Sequence, residues 1–259
     1  MKARKNSAFT LIETMVAMVI GMICVAAILY AYQFFNKSYQ GLLDKAAISD
    51  SGRTSLSMIA RDLRNSGYKD INYNQFSWDR RIEQIDNYNN TGADSLTVWY
   101  NTSPTERLKI NYFLKKYDTS NDMYLAKEVI ENPKVENSYG MGMKRTCQTY
   151  NTQQNCVPQV IVPFVTDFQV VFKDVNGNEL TPVCGSDSCS SVGRNNQLKV
   201  HTAEVYLTVR SPNKIHQKNK IWKIINHNAS TGREQTLAPD RYHREPFFIS
   251  VYLRNIVKI

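Results

Sequence analysis

Glu13 stands where a carboxylate is costly. Behind it, Met15 to Tyr32 is a run of eighteen residues without a charge, and a charged side chain at the edge of such a run costs up to ~3 kcal/mol in lipid. An acid kept there needs a cationic partner. Four cysteines in the polar part, Cys147, Cys156, Cys184 and Cys189, form an even set, and a fifth, Cys24, lies inside the apolar run. An even set suggests disulfides, which persist only in an oxidising compartment and would put this part of the chain outside the cytoplasm. Three pairings are open; the sequence-local one, Cys147 with Cys156 and Cys184 with Cys189, is the expectation. Zinc is the competing use, although C-x8-C and C-x4-C spacing with no nearby histidine departs from paired C-x2-C ligands.

The remaining chemistry-bearing residues form no catalytic pattern. His201, His216, His227 and His243 show no metal-ligand spacing such as H-x3-H, and none adjoins a nucleophile motif. They read as isolated surface or strand histidines. Asp174-x-Asn176-Gly177-Asn178 has the outline of a calcium loop but lacks its glycine placement and distal glutamate, so it reads as a hairpin turn. There is no phosphate-cradling glycine loop, no G-x-S-x-G and no paired catalytic carboxylates. No catalytic residue, metal or cofactor is expected, and the chain reads as a non-enzyme.

The elements that place Glu13 begin with MKARKNSA, in which Lys2, Arg4 and Lys5 are unopposed by any acid. That charge keeps a leader on the cytoplasmic side and orients the chain N-in, C-out. Eighteen uncharged residues span ~27 Å as a helix, close to the ~30 Å of bilayer hydrocarbon. A cleaved secretory signal fits poorly, because Glu13 interrupts its start and Leu29-Tyr30-Ala31 is a weak cleavage site. A plain anchor has no use for the acid.

Beyond the bilayer, Leu42, Leu43, Ala46 and Ala47, then Leu56, Ile59, Ala60 and Leu63, keep helical spacing, so the helix is expected to continue to about Asn65 and to end at Gly67. Gly21, Gly41 and Gly52 are its candidate soft points. Arg61, Asp62 and Arg64 are expected to be solvated or to pair locally. After a polar connection from Asn72 to Asn90, strands are expected at 95–100, 108–114, 123–130, 167–172, 203–212 and 247–255, as an antiparallel meander, with the fifth stopping at Pro212. Fifteen Tyr, ten Phe and three Trp suit such a sheet.

The net charge of +9 is concentrated late: Lys199 to Ile259 holds 11 Lys plus Arg against 4 Asp plus Glu, or +7. A basic surface attracts nucleic acid, anionic lipid or an acidic subunit, and charge alone does not choose among them; Lys214 to Lys223 and Arg233 to Arg244, with Trp222 and Tyr242, suit a DNA-binding or adhesin surface and equally an ordinary exposed edge.

Ala8-Phe9-Thr10-Leu11-Ile12-Glu13 resembles the cleavage motif of type IV prepilins. The segment Arg61-Asp62-Leu63-Arg64 followed by Gly67-Tyr68, the Asp94 to Tyr100 strand and the closing Leu253-Arg254-Asn255 resemble the PilW-type minor pilins. The resemblance implies an α+β pilin-like fold, a long N-terminal helix, transmembrane and then amphipathic, packed on a C-terminal antiparallel sheet. It implies a leader at 1–8, a transmembrane and assembly helix at 9–35, an amphipathic continuation at 36–67 and an extracytoplasmic head at 68–259. A prepilin peptidase would cut between Ala8 and Phe9 and methylate the Phe9 amine, with which Glu13 of a neighbouring subunit would pair during assembly. Ala8 stands where the family usually has glycine, a departure that implies slower processing. The implied role is a minor pilin that helps initiate filament assembly and sits in or near the tip. Its partners would be the peptidase, other minor and major pilins, the inner membrane and a tip adhesin. The alternatives are a minor pseudopilin of type II secretion and a membrane-anchored DNA-binding or adhesin protein.

Overall fold

Apolar residues at helical spacing build the first element, α1, Leu11–Asn65, a helix of 55 residues that is unbroken through Gly21 and Gly41. The computed structural model describes residues 10–68, 81–85, 92–103, 106–118, 120–131, 146–147, 158–180, 196–216, 218–225 and 234–256. Its contacts divide the chain into two units, one ending at Ala46 and one beginning at Ala47.

Within the second unit, α1 buries Ile48, Gly52, Ser55, Leu56, Ile59, Ala60, Asp62 and Leu63, a single stripe repeating every three to four residues. Burying each of the large aliphatic members contributes roughly 1.5–3 kcal/mol. The helix stops where Gly67 takes φ 75°, a left-handed conformation that favours glycine. The Gly67 N–H then donates to the Trp99 carbonyl at 2.8 Å, and a Cβ at this position would come within 3.1 Å of the Asn255 carbonyl oxygen.

The stripe packs on an antiparallel sheet. Its strands are β1 (Ile82–Ile85), β2 (Ser95–Ser103), β3 (Glu106–Lys116), β4 (Met123–Glu131), β5 (Thr146–Cys147), β6 (Gln159–Lys173), β7 (Thr202–Lys214) and β10 (Tyr242–Tyr252). The order is β1-β2-β3-β4-β6-β7-β10, with β5 pairing β4 off this path. A separate ribbon pairs β8 (Lys223–Ile225) with β9 (Glu234–Thr236). Alternation sets the faces: on β7, Ala203, Val205, Leu207 and Val209 are buried in the core, while Glu204 and Tyr206 are only partly buried on the other face. Phe168, Val170 and Phe172 of β6 join the same core. The sheet curls until the start of β2 reaches β6: the Asp94 N–H donates to the Phe168 carbonyl at 2.8 Å, and the Val170 N–H donates to Asp94 Oδ2 at 2.8 Å.

The α+β architecture is the expected one, and α1 ends at Asn65 as its periodicity requires. Several details differ. β6 begins at Gln159 rather than at 167, and the last strand covers Tyr242–Tyr252 rather than 247–255. β1 lies inside the stretch read as a polar connection, paired to β2 from Ile82↔Val98 to Ile85↔Ser95. β7 does not stop at Pro212 but runs to Lys214, because its pairing with β10 shifts register between Arg210 and Lys214 and no ladder hydrogen bond is asked of the proline nitrogen. Asp62 is neither solvated nor paired only locally. It is 1% exposed and bound to Lys127 and Tyr112 of the sheet.

Candidate functional site

Thr10 and Glu13 build the start of α1 together. The Glu13 Oε2 accepts from the Thr10 N–H at 2.8 Å and from the Thr10 hydroxyl at 3.0 Å, and the Glu13 N–H meets Thr10 Oγ1 at 3.4 Å. This is a capping box, in which the residue before the helix and the third residue inside it satisfy each other's orphan donors. Thr10-x-x-Glu13 is a sequence signal for that cap, so the acid expected to need a cationic partner already has a neutral one in its own chain. The carboxylate has a role in its own chain before any neighbouring subunit is considered.

Behind the cap, every residue from Thr10 to Gln40 is exposed. Leu11 is 79% exposed and Ile20, nine residues on and so on the opposite side, 56%, so the helix presents apolar side chains all round. A helix of this kind is stable when lipid or other helices cover it. By length and composition α1 contains a segment able to cross a membrane. Cys24 is a free, exposed thiol on it.

In the second unit a buried ion pair joins the helix to the sheet. Lys127 Nζ donates to Asp62 Oδ2 at 2.7 Å, the Tyr112 hydroxyl donates to the same oxygen at 2.6 Å, and the ammonium lies 5.4 Å from the Tyr112 ring centre. Burial first, and then the Asp62 charge, push the Tyr100 hydroxyl up to about 12 and the Tyr112 hydroxyl higher still, so both remain protonated donors. The arrangement fixes the helix to β3 and β4.

The far end of the β7–β10 pair collects cations and rings. The His216 and His243 rings lie 5.7 Å apart and both pack on Trp222, at 6.0 and 5.8 Å. Far from isolated, these two histidines meet because β7 and β10 are neighbours, a proximity that their spacing in sequence hides. Arg210 stacks on Tyr242 at 4.1 Å and on Phe164 at 5.2 Å and pairs with Asp122. Phe164 itself is held at φ 55°, strained for an aromatic residue, at the irregularity in the β4–β6 pairing. Arg244 grips Asp240 through two bonds of 2.7 and 2.6 Å, and these hold the Asp240 carboxyl below its ordinary range.

Among the described residues no group of three or more His, Cys, Asp or Glu could hold a metal ion. Asp174 is engaged by its own turn: Oδ1 accepts from the Asn176 and Asn178 N–H groups at 2.8 Å each, with Gly177 at φ 84°. Ala8, Phe9, Cys156, Cys184 and Cys189 lie outside the described residues, and Cys147 is described only as a backbone position of β5.

Residues 3–29 match the family model described as the prokaryotic N-terminal methylation motif. A type IV-like pilin from Thermus thermophilus is similar in structure, at 12% identity and a TM-score of 0.43, over 81% of this chain and 97% of that one. No curated protein sequence matches the chain.

Proposed function

We propose that the chain is a minor type IV pilin of the PilW type, cut between Ala8 and Phe9, methylated on the Phe9 amine and assembled through its apolar helix. The observation that carries this reading is the coincidence of the methylation-motif match over 3–29 with a capped helix that is apolar on every side and uncovered. Such a helix leaves lipid only when neighbouring subunits cover it. After cleavage, the freed Phe9 amine of one subunit pairs with Glu13 of the next, and the pair sets axial register because either charge alone resists burial.

On this reading the domains are a leader at 1–8, a transmembrane and assembly segment at 9–35, an amphipathic continuation at 36–67 and an extracytoplasmic head at 68–259. The cysteines 147, 156, 184 and 189 form two disulfides in the oxidising compartment. The subunit waits in the inner membrane, N-in and C-out, and works near the filament tip with other minor and major pilins. Quantifying Glu13→Ala and Glu13→Gln protein in sheared filaments and in membranes tests this. Both variants are expected in membranes at normal levels and to be depleted from filaments; filaments carrying normal amounts of both would remove the pairing role.

A further inference from the structure

The ribbon that joins β7 to β10 carries a row of exposed cationic side chains. Lys220 bridges Asp240 through the backbone, and the Leu237 N–H donates to the Trp222 carbonyl at 2.9 Å, continuing into β8 and β9. Lys218, Lys220, Lys223 and Arg241 are exposed along it, and Ile221, set between two of those lysines, is 62% exposed. Asp240, at the base of the ribbon, is already committed to Arg244.

The rings in this region are covered by the chain's own cations. Lys220 lies 4.2 Å from the Trp222 ring centre, and Tyr242 carries Arg210 at 4.1 Å and Lys214 at 5.8 Å. A nucleic-acid base needs a free ring face to stack on. Exposed along the ribbon are ammonium and guanidinium groups flanking an aliphatic side chain beside an indole, with Arg241 Nε donating to the His216 carbonyl at 2.9 Å, a combination suited to the headgroup region of an anionic bilayer.

The ribbon also stands at the right end of its unit. α1 and β10 run side by side in the same direction, with Phe247 against Gly52 and Asn255 Nδ2 donating to the Arg64 carbonyl at 2.9 Å. The start of β10, and the ribbon with it, therefore belongs to the end of the unit where the chain arrives at Ala47. Only fourteen residues lie between Tyr32, where the eighteen-residue apolar segment from Met15 ends, and Ala47.

We propose that this ribbon docks on anionic phospholipid headgroups of the bilayer that holds the apolar segment, through Lys218, Lys220, Lys223, Arg241 and Ile221. The proposal rests on the anchored reading of α1. It gives the subunit a second, electrostatic hold on the membrane, one that is released as the subunit leaves for the filament.

Amide hydrogen exchange on the full chain, reconstituted into phosphatidylcholine vesicles with and without about one third phosphatidylglycerol, tests it. Amides of 218–225 and 236–241 are expected to exchange about tenfold or more slowly when phosphatidylglycerol is present. That protection disappears in a Lys218→Glu/Lys220→Glu/Lys223→Glu variant whose β6 and β7 amides stay protected. Equal exchange in the two vesicles, or protection that survives in the variant, overturns the docking. Ribbon protection that appears with a DNA oligonucleotide but not with phosphatidylglycerol overturns it in favour of a nucleic-acid surface. The same experiment reads Met15 to Tyr32: exchange there in both vesicles sinks the anchored reading and the docking together, whereas protection there without ribbon protection sinks the docking alone.

Discussion

Lys127 of β4 reaches Asp62 of α1 at 2.7 Å in a site where the carboxylate is 1% exposed, and the Tyr112 hydroxyl completes the oxygen's coordination. Removing one charge strands the other in the interior, whereas removing both leaves only a packing change. Asp62→Ala or Lys127→Ala alone is expected to destabilise the second unit by about 3–5 kcal/mol, and Asp62→Leu with Lys127→Met by much less. Thermal unfolding of the full chain in detergent, followed by near-UV circular dichroism, measures the difference. Two single variants no worse than the double would remove the pair from the account.

Gly52 faces the Phe247 ring so closely that a Cβ on it would lie 2.3 Å from a ring carbon. Gly52→Ala is expected to cost about 1–3 kcal/mol, since a packed ring has to move. The same substitution made on top of Phe247→Ala is expected to be close to neutral. A cost that persists without the ring points to some other contact.

Asp167 gives the chain a pH signature. It is 4% exposed, and burial pushes its carboxyl up to about 6, against weaker opposing hydrogen bonds from Gln169 and the backbone. Between its ordinary value of 3.8 and about 6 the folded chain holds this proton more tightly than the unfolded chain does. The contribution to stability therefore falls as pH rises through that window, by about 3 kcal/mol in all. Asp167→Asn keeps an acceptor for Gln169 and removes the titration. Its advantage over the parent protein is expected to be near zero at pH 4 and to grow until pH 6, as read from denaturant midpoints at each pH. An advantage independent of pH contradicts the assignment.

Substitutions can separate the cap that Glu13 makes with Thr10 from the assembly role proposed for it. Glutamine keeps an acceptor for the Thr10 N–H but has no charge, so Glu13→Gln is expected to preserve the helix start and to fail in assembly as Glu13→Ala does. Thr10→Ala is expected to cost about 1 kcal/mol at the helix start while leaving the charge for a neighbour's amine. Amide exchange of the first turn together with filament incorporation reads both roles. Full assembly of the glutamine variant would reduce Glu13 to a capping residue.

Local pattern carried far along this chain. The helix end was legible because Leu56, Ile59, Ala60 and Leu63 keep one phase up to Asn65 and Gly67 supplies the stop. Six strands followed from alternation and from the Asn176-Gly177 turn. What could not be read depends on residues distant in sequence. Asp62 looks like a surface acid between two arginines until β3 and β4 fold over it. His216 and His243 look isolated until β7 and β10 pair. β1 has only four residues, Ile82–Ile85, and earns strand geometry by pairing with β2 rather than by its own composition. The Glu13 cap is written in Thr10-x-x-Glu13 itself, although the apolar run beside it makes the acid read as a charge in lipid rather than as a cap.

The proposed function requires Phe9 to become a modified N-terminus. Intact-mass and N-terminal peptide mass spectrometry of the protein from its native membranes measures this directly. A chain that begins at Phe9 and carries one methyl group on its amine is the expected result. A functional chain that retains Met1 to Ala8, or one that begins at Tyr32, contradicts it.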